Sequence, residues 1–315
     1  MAVHTSQSSA SKQQRSTPIS CTLSWPLEPF SINSILRANN RERIYQHPLR
    51  WSSRHLELLN CYFRQKEAVC GSDRSVEQSG QQPGAAKLTT AAILRVAELS
   101  LFKCTTEFRT LTIQYALEEH GIRRSSLNLP FWFHQQPVTT LETDGVFSSP
   151  DSTSPALAYL DLRSLESRRH KSIRLSTSTN RYNAPVSRLV QRERYRLRPE
   201  TEVEDPYIVA VLIALAQSRR RLQNKTGDNV DGLGKSAPCF EVHLLALSAA
   251  GALSLCFYTA CIPATFLDRF DQPSRYFPSQ SLSITYRRIP LKQTSGFVRL
   301  MGYVISMVSR KDHQL

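Results

Sequence analysis

The chain has 315 residues, room for one or two domains, and 40 Lys+Arg stand against 26 Asp+Glu for a formal net charge of +14. That balance favours polyanionic contacts such as nucleic acid or an anionic membrane surface. The longest apolar runs fall well short of the ~20 residues that a helix needs to cross a bilayer, which excludes a helical membrane span.

Seven cysteines (Cys21, Cys61, Cys70, Cys104, Cys239, Cys256 and Cys261) form an odd set without a C-x-x-C pair. Several lie inside apolar runs, where a free thiol packs as a small hydrophobe. With no apolar segment at the N-terminus, the expectation is an intracellular protein, cytoplasmic or nuclear.

Residues 1–50 read as a mostly disordered tail, because Ser and Gln outnumber apolar residues at its start. A helical region is expected over 51–135. Trp51, His55, Leu58/Leu59, Tyr62/Phe63 and Lys66 recur at helical spacing, followed by the Gly71–Gly84 linker. Two further helices are expected, one from about Lys87 to Phe102. The other runs from Thr106 to His120, with Gly121 closing it as the residue past its end. The aromatic run Pro130–His134 reads as a core plug.

Residues 136–199 lose periodicity and read as a basic Ser/Thr/Arg-rich linker, with one short helix at Leu157–Leu165. Arg168, Arg169, Lys171, Arg188, Arg192, Arg194, Arg196 and Arg198 lie in the stretch Arg163–Arg198, whose only acids are Glu166 and Glu193. This segment is either a phosphate-binding arm or nuclear-localisation segment, or a solvated linker.

A core domain is expected over 200–312. Asp205 caps a helix whose first residue is Pro206, and the run Tyr207–Ala216 is apolar on every side, so the helix should be buried. Arg219, Arg220 and Arg221 are expected on its last turn, complementing the helix dipole. Phe240–Leu247 and Leu253–Ile262 read as a hairpin turning at Ala249-Ala250-Gly251. Ala264–Phe270 reads as a short helix, Leu282–Ile289 as a third strand, and Phe297–Val308 as a closing helix capped by Ser295. The expected fold is α+β, a three-stranded antiparallel sheet with a buried central helix and flanking helices, preceded by the small helical region and disordered segments.

Motifs with chemistry are sparse. Gly234-Lys235-Ser236 lacks the upstream glycine of a phosphate loop, since Asn229 occupies that position, and the flanking elements come in the wrong order. Cys239, Glu241 and His243 with Cys256 and Cys261 lack the paired spacing of a zinc site and read as packing groups. No nucleophile elbow is present. No catalytic, cofactor-binding or metal-binding residue is therefore assigned.

Two resemblances exist. Glu204–Gln217, Phe257–Ser274 and Ile284–Leu291 resemble segments of uncharacterised predicted proteins of filamentous fungi, which implies no activity. The order helix, three strands, helix over the same region also resembles the start of the PD-(D/E)xK nuclease core. That family carries a carboxylate on the second strand and Glu-x-Lys on the third. Here the second strand offers Ser254, Cys256, Tyr258 and Thr259, and the third Thr285-Tyr286-Arg287, so the resemblance implies at most a catalytically degenerate relative. The leading expectation is a non-enzymatic interaction module binding nucleic acid or another polyanion through its basic linker. The alternative is the degenerate nuclease, or an enzyme with an unrecognised site.

Overall fold

The computed structural model describes residues 27–42, 44–66, 105–149, 154–173, 184–226, 238–248, 254–290 and 294–309. The helix expected at Lys87–Phe102, the linker Gly71–Gly84, the turn at Ala249-Ala250-Gly251 and Gly234-Lys235-Ser236 lie outside these residues.

The strands are β1 (Cys61–Gln65), β2 (Arg123–Phe133), β3 (Gln136–Ser148), β4 (Pro155–Asp161), β5 (Cys239–Ser248), β6 (Ser254–Pro263) and β7 (Leu282–Pro290). The helices are α1 (Ile32–Ala38), α2 (Ser53–Leu59), α3 (Thr106–Glu118), α4 (Leu162–Ile173), α5 (Ala184–Arg196), α6 (Pro206–Thr226), α7 (Ala264–Asp271) and α8 (Thr294–Ser309).

The expectation of a three-stranded antiparallel sheet is overturned. All seven strands form one mixed sheet in the order β1-β7-β6-β5-β4-β3-β2. The three strands anticipated from the sequence are β5, β6 and β7, and their mutual pairings are antiparallel. On one side β4 joins β5 in parallel, and β3 and β2 follow antiparallel. On the other side β1 joins β7 in parallel. Parallel neighbours need a long connection, and α4, α5 and α6 supply it between β4 and β5.

The missed strands lack local signals for physical reasons. Leu157–Leu160 is buried on both faces in mid-sheet, so it shows a continuous apolar run rather than alternation and resembles a helix fragment. β2 and β3 are joined by His134 and Gln135, both at positive φ (52° and 60°), the geometry that hairpin turns usually give to Asn and Gly. The helix expected from Trp51 to Lys66 stops at Leu59, where Asn60 (φ 58°) turns the chain into β1. By contrast α3 lies where its spacing predicts, and Gly121 (φ 77°) follows its end.

Side chains alternate across the sheet, giving two cores. One contains Val146, Ala158, Leu160, Val242, Leu244, Tyr258 and Ile284 with the whole of Tyr207–Ala216 from α6. The other contains Phe147, Leu157, Tyr159, Leu245 and Phe257 with Ile113, Ala116 and Leu117 of α3 and Met301, Val304 and Val308 of α8. The Tyr207–Ala216 part of α6 is buried on every side because the N-terminal segment covers the surface turned away from the sheet, through Ile32, Trp51 and Leu56. Asp205 starts it as expected, its Oδ1 accepting from the Tyr207 amide at 2.8 Å. Arg219, Arg220 and Arg221 lie before the last turn, not on it, and they make specific contacts instead of general dipole ones. Arg219 donates to the Glu241 carbonyl (2.9 Å), Arg220 pairs with Asp268 and Asp271, and Arg221 lies 3.6 Å over the Trp132 ring.

A pH effect arises in this N-terminal cover. In α2, Ser52 and His55 form a capping box, with the Ser52 amide donating to His55 Nδ1 at 3.1 Å and His55 Nε2 facing the Ile44 carbonyl at 3.0 Å. Burial lowers the His55 pKa from its ordinary 6.5, because a second ring proton would enter a dry site and remove the acceptor. The unfolded chain then takes up this proton below about pH 6.5 while the folded chain does not, so stability falls as pH drops through that range. Burial lowers His47 in the same direction. His55→Gln keeps a capping-box acceptor without the titration. Its melting temperature should fall less between pH 7 and 5.5 than that of the wild type, and an unchanged slope would assign the effect to other groups.

Candidate functional site

Strands β3 and β4 pair at Gly145↔Tyr159 and the ladder ends there. Two carboxylates lie at this point. Asp144 Oδ2 accepts from the Asp161 amide (2.8 Å) and from Arg168 Nη2 (3.0 Å). Asp161 Oδ1 accepts from the amides of Arg163 (3.0 Å) and Ser164 (3.2 Å), so it caps the start of α4. Its other oxygen lies 3.3 Å from Arg109 Nη1 of α3, in a pair with side chains 0% and 4% exposed.

The surroundings of Asp161 are dry. Burial raises its pKa, Arg109 opposes that shift, and the negative charge of Asp144 adds to it. The Tyr159 hydroxyl is buried without a hydrogen-bond partner, and burial, followed by Asp161 and Asp144, pushes its pKa well up.

These two acids do not converge on one space. Alternation along β3 places Asp144 on the face of Val146, with Ala158 and Leu160 as its third-strand neighbours on that face. Asp161 follows the parity of Tyr159 and points towards α3. Each carboxylate therefore has its own arginine, and a metal ion would find aliphatic side chains where a second acid is needed. Among the described residues no three His, Cys, Asp or Glu side chains are grouped to hold a metal ion.

The eight basic residues singled out from the sequence divide into two groups. Arg169 is buried in α4. Its Nη1 and Nη2 each lie 2.6 Å from an Asp205 oxygen, and its Nε donates to the Leu49 carbonyl at 3.0 Å. Arg168 is held by Asp144, and Arg196 pairs with Glu193 at 2.7 Å. Arg168 and Arg169 join separate parts of the fold, whereas Arg196 is engaged by an acid of its own helix.

Lys171, Arg188, Arg192 and Arg198 are exposed, and none takes part in an ion pair among the described residues. Arg194 is half-buried. Helix α5 has no buried residue at all, so it sits as an outer ridge beside α4. Helical spacing places Arg188, Gln191, Arg192 and Tyr195 on one outward stripe. Arg198 joins the last turn, since its amide donates to the Tyr195 carbonyl at 3.3 Å.

Between α4 and α5 runs a groove of about 620 Å³, lined by Arg163, His170 and Arg194, by Gln191, Tyr195 and Arg198 from the edge of that stripe, and by Glu166, Glu200 and Glu202. Its charges nearly balance, and Glu202 also accepts from the Ser248 hydroxyl at 2.9 Å. Arg188 and Arg192 of the stripe lie off the groove, and both are exposed cations. An extended anion would therefore gain most on the ridge and little on the groove floor.

The cysteines correct another expectation. Cys239 and Cys261 are not separate packing groups, because they occupy diagonal positions on β5 and β6 (Cα–Cα 5.8 Å) and their sulfurs are bonded. Cys61 and Cys256 are buried free thiols, pushed up by burial to about 12 and about 11. Both are poor nucleophiles at neutral pH. No helix among the described residues is long and apolar enough to cross a membrane.

Sequence reasoning missed Asp144, Asp161 and Arg109, which lay in stretches read as helix or linker. An available signal was Asp161-Leu162-Arg163, with the carboxylate at the end of the apolar run Ala156–Leu160, and Asp144 directly before Gly145-Val146-Phe147. Comparison with protein-family models, with curated proteins and with solved structures finds no match for this chain.

Proposed function

We propose that the protein binds nucleic acid through the outer face of α5 and does not cut it. The observation that carries this reading is that Arg188 and Arg192, on a helix that buries nothing, and Arg198 just past its end make no ion pair among the described residues. Burying no residue, α5 contributes little to the core, and a run of like charges on such a helix is unfavourable without counter-ions or a polyanion.

The strands support the part of this reading that excludes cutting. Helix α3, strands β2, β3 and β4 and helix α4 run in the order helix, three strands, helix that the PD-(D/E)xK resemblance calls for. This is a better seat for that resemblance than residues 204–289. Asp144 stands on the second strand, but the third strand gives Ala158 and Leu160 on the same face, with no acid and no lysine. Asp161-Leu162-Arg163 provides an acid and a base two residues apart, with the acid turned to Arg109. The reading is therefore a nuclease-like scaffold that lacks the clustered carboxylates of two-metal or one-metal hydrolysis.

Binding to a fluorescent mixed-sequence oligonucleotide at several salt concentrations tests this. With about three phosphates neutralised, affinity should fall roughly 40-fold between about 50 and 200 mM salt. Arg188→Glu with Arg192→Glu should weaken binding at low salt and lower the salt slope by about two. Salt-independent binding, or an unchanged slope in the double variant, would remove α5 as the binding face. The oligonucleotide should stay intact with Mg²⁺ or Mn²⁺ present. Cleavage that Asp144→Asn abolishes would make the protein an enzyme.

A further inference from the structure

We infer that the α5 ridge takes single-stranded rather than duplex nucleic acid, with an unstacked base resting on Tyr195. This rests on the nucleic-acid reading of α5 and adds a substrate class to it.

Tyr195 is 81% exposed, the most exposed large apolar side chain among the described residues. Its ring has no aromatic partner among the described residues, whereas Tyr45 lies 5.7 Å from Phe133, and Phe30 6.2 Å from Tyr276. It is not part of an apolar patch on its own face. The other exposed apolar side chain of α5, Leu189, lies about a third of a turn away, facing the depression bounded by Leu36 and Arg50.

Tyr195 stands between the stripe and the groove that Glu166, Glu200 and Glu202 also line, and its neighbours along the stripe are cations. Arg192 is one turn before it, Arg188 one turn further back, and Arg198 in the turn after it. The order cation, cation, ring, cation along one line fits a backbone that lays phosphates on the arginines and one base on the ring. Every base has a π-face, so such a contact is tolerant of sequence.

A duplex fits this line poorly. Its bases are stacked on one another and offer no face to a ring, and a helix entering the major groove reads base edges with polar side chains. Tyr195 in the middle of the stripe would hold a regular duplex backbone away from Arg192 and Arg198. A single strand places its bases outward and loses little by resting one on the ring.

The test uses the full chain with a mixed-sequence single strand of RNA, the same sequence as DNA, and a duplex of that DNA, by fluorescence anisotropy at one low salt concentration. The single strands should bind more tightly than the duplex. Tyr195→Ala should weaken single-strand binding by about 10-fold or more and leave duplex binding unchanged, whereas Tyr195→Phe, which keeps the π-face, should bind as the wild type does. Since the side chain lies in solvent, neither variant disturbs folding, and far-ultraviolet circular dichroism checks this. If single strand and duplex bind equally and Tyr195→Ala changes neither, stacking is wrong while the arginine ridge stands. If no nucleic acid binds at low salt, the underlying reading fails as well.

Discussion

Arg169→Ala should destabilise the protein by about 3–5 kcal/mol, the range for breaking a buried ion pair from one side. The arginine makes two 2.6 Å bonds to Asp205 and one to the Leu49 carbonyl, and both partners in the ion pair are nearly fully buried. Removing it leaves the Asp205 carboxylate in a dry site with only the Tyr207 amide as a donor. Three parts of the chain lose their joint at once: α4, the start of α6, and the turn at Leu49. Arg169→Lys should recover only part of the loss, because one ammonium cannot span both carboxylate oxygens. Asp205→Ala should cost a similar amount, and the double variant less than the sum of the two. Urea unfolding of the four proteins measures this. Single and double losses that simply add would mean that the pair is not coupled.

Arg109→Ala should cost a similar amount near neutral pH, about 3–5 kcal/mol, and clearly less in acid. Burial already raises the Asp161 pKa above its ordinary 3.8, and Arg109 is the main force opposing that shift. Without the arginine the folded-state pKa rises further. A carboxyl raised in the folded state holds its proton where the unfolded chain has released it, so stability falls as pH climbs from about 4 towards that higher value. The deficit of the variant should therefore widen between pH 4.5 and 7.5 in thermal melts. A deficit independent of pH would mean that Arg109 matters for packing alone. The experiment also bears on chemistry. An acid that depends on one arginine for its charge is a structural clasp between α3, β4 and α4, not a free metal ligand.

These two arginines show why part of the molecule was legible and part was not. Arg169 stands among eight basic residues that look alike in sequence, and its role depends on Asp205, 36 positions away. Arg168 depends likewise on Asp144, 24 positions away. Arg188 and Arg192 look the same by composition, yet they face solvent because α5 lies outside the core. Charge density identified the region. Only the positions of the distant acids separate the residues that hold the fold from those free to meet a ligand.

The same division holds for the elements. Asp205 and Pro206, followed by a run apolar on every side, identify α6 and its burial, since cap, fixed φ and lack of a polar face are local properties. Alternation and punctuation likewise identify β5, β6 and β7. The sequence by itself determined those elements, the excess of positive charge, and the shortness of its apolar runs.

Tertiary structure decided the rest. Strands β1 to β4 owe their state to neighbours: β1 to its pairing with the distant β7, and β4 to burial on both faces. Whether Asp144 and Asp161 form one site depends on the parity of two strands and on which arginine each meets. That parity is set by pairing register, a long-range property that no local pattern encodes.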